Sequence, residues 1–224
     1  TAEKVKDGVY KVQVNITNHK YNFGVYAVQI FVTDKDGVET MPYSTCYNFE
    51  QTEASMYKIM GESSTTVEQM VAYYNANATY PAFYGTSDAP TIEAFCQIYL
   101  EECAAEGVKA EVAFCQAMKE TGYLRYGGDV KIEQFNFAGL GATGGGAAGA
   151  TFANVREGIR AQVQHLKAYG SKDALVNPCV DPRFQHVTRG TATYVEWLGI
   201  KENPQGKGWA LQVFLQPVRI LIQP

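Results

Sequence analysis

The hydrophobic positions of the chain change their spacing near residue 60. Residues 8–17 alternate between apolar and polar side chains, which is the period of a half-buried strand. The runs 25–33 and 38–49 are rich in β-branched and aromatic residues, and a turn ending at Gly37 separates them. The pattern predicts a small β-rich segment over residues 1–60. Three strands are too few for a closed sandwich, so we expect either a truncated module or a small sheet packed on the later part of the chain.

From residue 64 the apolar spacing becomes helical and predicts four helices followed by shorter elements. The first follows a threonine cap at 65–66 and ends before Pro81, the second runs from a cap at Thr91 to Gly107, the third from about Lys109 to Thr121, and the fourth roughly from Asn154 to Tyr169. A shorter helix near Thr191–Leu198 and an apolar tail complete the pattern. We therefore predict a mainly α domain over residues 61–224.

Composition and charge exclude several classes of protein. The 224 residues are 46% hydrophobic and 19% charged, which is typical of a globular chain. With 19 Lys and Arg against 23 Asp and Glu, no basic excess exists to neutralise a phosphate backbone, so we expect no nucleic-acid partner. No apolar run approaches membrane-spanning length, so we expect no membrane insertion. The first residues do not resemble a signal peptide and lack an initiator Met, which predicts a fragment of a longer chain.

The cysteines and histidines predict neither a disulfide framework nor a metal centre. The five cysteines are odd in number and form no CxxC pair. Cys96, Cys103 and Cys115 lie in apolar helical segments, where a free thiol acts as a small core residue. The three histidines are too scattered for metal ligation, and we expect His165 to be a core or supporting residue.

A glycine-rich run matches the GxGxxG pattern at Gly139, Gly141 and Gly144. The dinucleotide fingerprint also requires a strand before the run and a helix at its last glycine, and no alternating βαβ pattern surrounds it here. The pattern therefore favours a flexible loop or tight hairpin over residues 139–149. We expect no nucleotide and no other cofactor.

Glu120 is the leading candidate for acid–base chemistry. It lies in the last turn of the third predicted helix, and the helix face before it carries the small or uncharged residues Ala113, Gln116 and Ala117. A carboxylate at a helix C-terminus faces the negative end of the dipole, and apolar walls would raise its pKa further. An exposed surface carboxylate beside Lys119 is the alternative that spacing alone leaves open.

Amide and aromatic side chains alternate just before the glycine-rich run. Gln134 and Asn136 interleave with Phe135 and Phe137. Amides bond hydroxyl and acetamido groups while rings stack on a pyranose face, so this run suits a sugar site. An ordinary edge strand with two buried rings fits the same local pattern.

Several ordered motifs resemble the glucosaminidases of glycoside hydrolase family 73. A helix rich in Ala with a Gln leads into the E-T-G of residues 120–122, and a segment Asn-Phe-Ala-Gly follows at 136–139. Residues 150–169 and 189–210 resemble later segments of that family, so that the similarity spans about 62–224. Residues 8–37 are similar, over a shorter stretch, to part of an immunoglobulin-like repeat of streptococcal and clostridial surface proteins.

The resemblance implies a lysozyme-like, mainly α-helical domain with a cleft. It implies hydrolysis of the β-1,4 bond between N-acetylglucosamine and N-acetylmuramic acid in peptidoglycan, with Glu120 as general acid. The partner would be the peptidoglycan glycan strand, and the protein would be secreted and cell-wall associated, with no metal. The substrate-binding candidates are Tyr123, Gln134, Phe135, Asn136 and Phe137. Relatives also use an aromatic residue near the end of the chain, for which Tyr194 and Trp209 are both candidates, and the resemblance does not choose between them.

The resemblance lacks one expected feature, a second carboxylate after the Asn-Phe-Ala-Gly segment. Residues 139–152 contain no acidic side chain. Asp129 and Glu133 lie just upstream, and the substrate's own 2-acetamido group or a Tyr-assisted water could replace the missing group. Two other functions stay open: a wall-binding module without turnover, and a muramidase or lytic transglycosylase of lysozyme-like fold.

Overall fold

The structure, a computed structural model, describes residues 3–7, 9–11, 24–49, 56–142, 146, 148–199, 217–218 and 221. The chain divides into two compact units, Thr1–Ser55 and Met56–Pro224. The first unit contains strands and the second contains helices, which confirms the predicted fold class of a mainly α domain with a small β segment. The domain limits 1–60 and 61–224 stay a prediction, because compactness does not show that either unit folds alone.

The first unit contains two antiparallel strand pairs. Strand β1, Glu3–Lys6, pairs with β2, Val9–Lys11, and strand β3, Gly24–Thr33, pairs with β4, Glu39–Phe49. The turn between β3 and β4 is fixed by Asp34, whose carboxylate accepts the backbone N–H groups of Asp36 and Val38 at 2.9 and 3.0 Å. Gly37 completes this turn with a φ of 82° that favours glycine.

Apolar side chains of the β3–β4 hairpin are exposed among the described residues, as expected for a two-stranded ribbon. Those at least 47% exposed are Val25, Ile30, Phe31, Val32, Val38, Met41, Tyr43 and Tyr47. Most of the first predicted strand lies outside the described residues, and the similarity to an immunoglobulin-like repeat stays a prediction.

The second unit contains the four predicted helices. They are α1, Val67–Asn75; α2, Ile92–Glu106; α3, Ala110–Glu120; and α4, Val155–Gly170. The side chains of Thr66 and Thr91 cap α1 and α2 by accepting a backbone N–H, as predicted, and Asn154 caps α4 in the same way. Gly107 ends α2 in the left-handed conformation, with a φ of 70°.

Short 3-10 turns connect the helices. They cover Ala82–Thr86, Ile132–Gln134, Phe184–His186 and Val195–Trp197. The last of these stands where the sequence predicts a short helix over Thr191–Leu198, so that prediction is wrong in its length. The carbonyl of Thr193 accepts the backbone N–H of Ile59, in the segment before α1. In a longer helix that carbonyl would bond within the helix instead.

An aromatic core holds α1, α2 and α3 together. Its fully buried rings belong to Tyr74, Tyr84, Phe95, Tyr99, Phe114 and Phe137. Cys96, Cys103 and Cys115 are buried among them as free thiols, which confirms their prediction as core residues. None of the described helices has the length and apolar character needed to cross a membrane.

Buried ion pairs fasten α4 to α2. The Lys167 ammonium lies 2.8 Å from Glu106, and both side chains are at most 4% exposed. Burial opposes the charged form of Glu106, but the bond from Lys167 and the backbone N–H groups of Asn177 and Val176 together lower the pKa of this carboxyl. The arrangement makes α4 a fixed support for the segments that pack on it.

Candidate active site

Glu120 is the last residue of α3 and the centre of the candidate site. Its side chain is exposed to water, yet desolvation by the surrounding protein raises the pKa of its carboxyl group, and Lys119 opposes the shift only partly. Nearby protein atoms therefore remove part of the water around the carboxyl group, although the side chain stays accessible. The direction of the predicted pKa shift is therefore confirmed, and the group is suited to hold a proton for donation.

A left-handed turn follows Glu120 directly. Gly122, Tyr123 and Leu124 have φ values of 59°, 59° and 63°, a conformation that costs L-residues about 1–2 kcal/mol each. Thr121 offsets the cost, because its hydroxyl accepts the N–H of Leu124 at 2.8 Å and its carbonyl accepts the N–H of Tyr126 at 2.7 Å. Strain of this kind, held by surrounding contacts, is typical of functional sites.

The turn presents two tyrosines that neighbouring aromatic residues hold in place. The Tyr123 hydroxyl lies 3.1 Å from that of Tyr73, and the Tyr123 carbonyl accepts the Tyr74 hydroxyl at 3.1 Å. The Tyr126 hydroxyl lies 3.3 Å from that of Tyr84, and desolvation raises the pKa of Tyr126 to about 12. Tyr126 therefore keeps its proton at neutral pH and acts as a hydrogen-bonding group and not as a base.

Beyond Tyr126, aromatic rings pack around the buried Tyr84 and reach the surface at Phe83 and Phe135. The rings of Phe83 and Phe135 lie 6.0 Å apart, and Phe83 lies 5.4 Å from Tyr84. Phe83 is 41% exposed and Phe135 is partly exposed. We call Phe83, Tyr126 and Phe135 the aromatic wall. Its flat apolar faces suit stacking on a sugar ring, and Phe135 is the only member that the sequence predicts.

A buried amide network lies beneath the face of α3 that leads to Glu120. The Gln162 amide donates to the Ala113 carbonyl at 2.8 Å and to the Gln116 side-chain oxygen at 2.9 Å, and it accepts the Tyr99 hydroxyl at 2.7 Å. Because a carbonyl can only accept, these bonds fix the orientation of both glutamines. The Nε2 of Gln116 then meets no acceptor among the described residues, although the residue is only 8% exposed.

Gln134, Asn136 and Phe137 support the site and do not face open space. Asn136 is 1% exposed, and its amide bonds the Leu140 N–H, the Leu140 carbonyl and the Ala150 carbonyl at 2.9–3.1 Å. Gln134 likewise bonds the N–H of Lys131 and two backbone carbonyls, and Phe137 is fully buried. The backbone already uses the side-chain amides of Gln134 and Asn136, and the ring of Phe137 is buried, so the predicted sugar contacts of these residues stay predictions.

Replacement of Asn136 by Ala is expected to lower the free energy of unfolding by about 2–3 kcal/mol, because it leaves buried backbone groups without partners. Thermal unfolding measures the change. Asn77→Ala is the matched control, since the Asn77 amide bonds only the exposed end of α1. Equal effects of the two substitutions would contradict the supporting role of Asn136.

Tyr194 contacts residues other than Glu120 and the aromatic wall. Its ring packs edge-on against Trp197 at 4.7 Å, and its backbone bridges to Lys58. Trp209 lies outside the described residues. The predicted substrate contacts of Tyr123, Phe135, Tyr194 and Trp209 therefore stay predictions, and Tyr123 is the one that lies on the turn directly after Glu120.

A second carboxylate is absent from the electrostatic surroundings of Glu120 within the described residues. Asp129 and Glu133 are both exposed, and neither contributes to the pKa shift of Glu120. No group of three or more His, Cys, Asp or Glu side chains in the described ranges could hold a metal ion. The site therefore offers one proton-holding carboxyl beside neutral amide and aromatic groups.

A helical domain with one raised-pKa carboxyl at the end of α3 and partly exposed aromatic rings has the features of a glycoside hydrolase. Residues 96–210 match the glucosaminidase family described as mannosyl-glycoprotein endo-β-N-acetylglucosaminidase, and the chain belongs to that family. It is 36% identical over 168 residues to a protein of Borreliella burgdorferi described as uncharacterised, covering 74% of this chain and 78% of that protein. No solved structure matches the chain significantly.

Proposed function

We propose that the helical unit hydrolyses the β-1,4 bond between N-acetylglucosamine and N-acetylmuramic acid in peptidoglycan, with Glu120 as the general acid. Membership of the glucosaminidase family supports the reaction class. The observation that carries the assignment of Glu120 is its raised pKa in a position open to solvent, next to a strained and well-bonded turn. Buried structural carboxylates such as Glu106 lack that access.

The first step is proton transfer from Glu120 to the glycosidic oxygen as its bond to the anomeric carbon breaks. A positioned general acid accelerates such a step by about 10²- to 10⁴-fold. Desolvation favours the protonated carboxyl, so the proton is available at a pH where an ordinary glutamate has lost it.

The second group of the reaction comes from the substrate in this proposal. The 2-acetamido oxygen of the N-acetylglucosamine unit bonds to the anomeric carbon as the leaving oxygen departs. Water then adds to that carbon, gives its proton to the Glu120 carboxylate and releases the acetamido oxygen. The absence of a second carboxylate acting on Glu120 among the described residues supports this route.

Gln116 supplies a hydrogen-bond donor for that route, and the sequence did not single it out as one. It lies one helical turn before Glu120 on the same face of α3, and its bonded neighbours fix its Nε2 as a donor without a protein acceptor among the described residues. An acetamido carbonyl or a sugar hydroxyl would satisfy this amide. Tyr123 offers a neutral hydroxyl on the turn that follows Glu120.

Digestion of purified peptidoglycan, followed by borohydride reduction and mass spectrometry, tests the proposal. We expect fragments that end in reduced N-acetylglucosamine. Fragments ending in reduced N-acetylmuramic acid would identify a muramidase, a 1,6-anhydro sugar would identify a lytic transglycosylase, and binding without cleavage would identify a wall-binding module.

Glu133→Gln and Asp129→Asn should keep activity, and full loss in either would contradict the substrate-assisted route.

Hydrolysis of peptidoglycan takes place outside the plasma membrane, and we therefore also propose that the protein is secreted and associated with the cell wall. Immunodetection in wall, membrane and cytoplasmic fractions of the source organism tests this location. A purely cytoplasmic signal would contradict it.

A further inference from the structure

A cavity lies outside the Glu120 surface, against the glycine-rich run. It has a volume of about 160 Å³ and is lined by residues 138–141, His165, Tyr169, Arg183, His186 and Val187. This volume equals about five times the share of one water molecule in the liquid, enough for a small organic group. Gly139 and Gly141 of the GxGxxG pattern form part of its wall, so the run has a place in the fold that dinucleotide binding does not explain.

The charged side chain that lines this cavity is an arginine, and two imidazoles lie beside it. Arg183, His165 and His186 line it, and no acidic side chain does so among the described residues. Arg183 is also the one arginine in the described ranges whose guanidinium makes no hydrogen bond or ion pair, while Arg156, Arg160 and the others are bonded through theirs. Free donors without a carboxylate favour an anionic ligand.

A buried carboxylate orients the imidazole towards the cavity. The Asp181 side chain is fully buried, accepts the Arg183 backbone N–H at 2.8 Å, and lies 2.8 Å from Nδ1 of His165. Since the carboxylate is an acceptor, Nδ1 carries a proton and Nε2 is the nitrogen left for a ligand. Asp181 is thus occupied by protein groups and does not present its charge to the cavity.

We propose that this cavity binds a carboxylate group, and, resting on the proposed function, that the group belongs to the stem peptide of peptidoglycan. The planar guanidinium of Arg183 can hold both carboxylate oxygens, and His165 and His186 add donors when protonated. The lining residue Ala138 lies three residues along the chain from Phe135 of the aromatic wall. The glycan would then be recognised together with its peptide.

Direct binding tests the cavity without any hydrolysis. N-acetyl-D-alanine is a suitable probe, because the peptides of peptidoglycan end in D-amino acid carboxylates, and its neutral amide N-acetyl-D-alaninamide is the matched control. We expect NMR titration to shift the His165 ring signals with the acid and not with the amide. Arg183→Gln should weaken the acid's binding about tenfold or more, and Lys35→Gln, which removes an exposed cation of the other unit, should not.

Three substrates separate the cavity from the catalytic proposal. Arg183→Gln should raise KM about tenfold on intact peptidoglycan and leave cleavage of carboxylate-free N-acetylglucosamine oligomers unchanged. If Arg183→Gln raises KM by a similar factor on glycan strands stripped of peptide, the site binds the lactyl carboxylate of N-acetylmuramic acid instead. Equal binding of acid and amide, or no effect of Arg183→Gln on either readout, would overturn the carboxylate site even if the wild type cleaves. Specific binding without any cleavage would overturn the proposed function alone.

Discussion

Replacement of Glu120 by Gln is expected to reduce the rate of glycan cleavage by about 10²- to 10⁴-fold. Glutamine keeps the size and polarity of the side chain but cannot donate a proton to a glycosidic oxygen. The loss should appear in kcat, because the proton moves only in the transition state, while KM changes little. Release of soluble reducing ends from purified peptidoglycan measures it.

The matched control is Glu62→Gln, which removes an exposed carboxylate from the same unit before α1. It should retain the wild-type rate. A Glu120→Gln protein that cleaves within a few fold of the wild type would show that another group supplies the proton.

The stability of Glu120→Gln should move in the opposite direction to its activity. Desolvation raises the pKa of Glu120 in the folded state, so the folded chain binds this proton more tightly than the unfolded chain. Stability from this group is therefore present below the unfolded pKa and is lost as the pH rises through the folded pKa. At neutral pH the variant should be at least as stable as the wild type, and only a catalytic role predicts lost activity without lost stability.

The same shift sets the pH dependence of the wild type. Cleavage should fall as the pH rises through the raised pKa of Glu120, because the carboxyl must be protonated to act as the acid. The descending limb of the kcat profile should lie above the range of an ordinary glutamate, and it should vanish in the residual activity of Glu120→Gln.

The helices and the place of Glu120 at the end of α3 were accessible from the sequence because local signals encode them. Thr91 and Gly107 bracket α2, and the position of Glu120 at the end of α3 follows from spacing alone. The aromatic wall was not accessible in this way. Phe83 contacts Phe135 only because the chain folds back over some fifty residues. The residues next to either ring in the sequence give no signal of this long-range contact.

The Gln-Phe-Asn-Phe run shows why local patterns mislead at a site. Alternation suggested a strand with amides on one face, but Ile132–Gln134 forms a 3-10 turn and Phe135 adopts a left-handed φ of 49°. The amide of Asn136 then turns inward to bond the backbone instead of a ligand. The polar side chain beside the glycine-rich loop thus bonds the loop's own backbone, and the sequence pattern does not show this.

Replacement of Gly158 by Ala is expected to destabilise the helical unit by about 3 kcal/mol or more, although alanine is the better helix former. A Cβ at Gly158 would lie 1.8 Å from the carbonyl oxygen of Phe135 and 3.2 Å from the ring of Phe137. The first obstacle is backbone, which cannot rotate away, so α4 and the Phe135 segment must separate. Thermal unfolding should show a fall in Tm of about 6–12 °C.

Gly170→Ala on the same helix is the matched control. Its added Cβ would lie 2.9 Å from the sulfur of Met60, a flexible side chain that can change rotamer, so we expect a change within about 1 kcal/mol. Because Phe135 belongs to the aromatic wall, Gly158→Ala should also weaken substrate binding in whatever fraction stays folded, whereas Gly170→Ala should not. Equal stability of the two variants would mean that α4 does not set the position of the Phe135 segment, and the aromatic wall would then need another support.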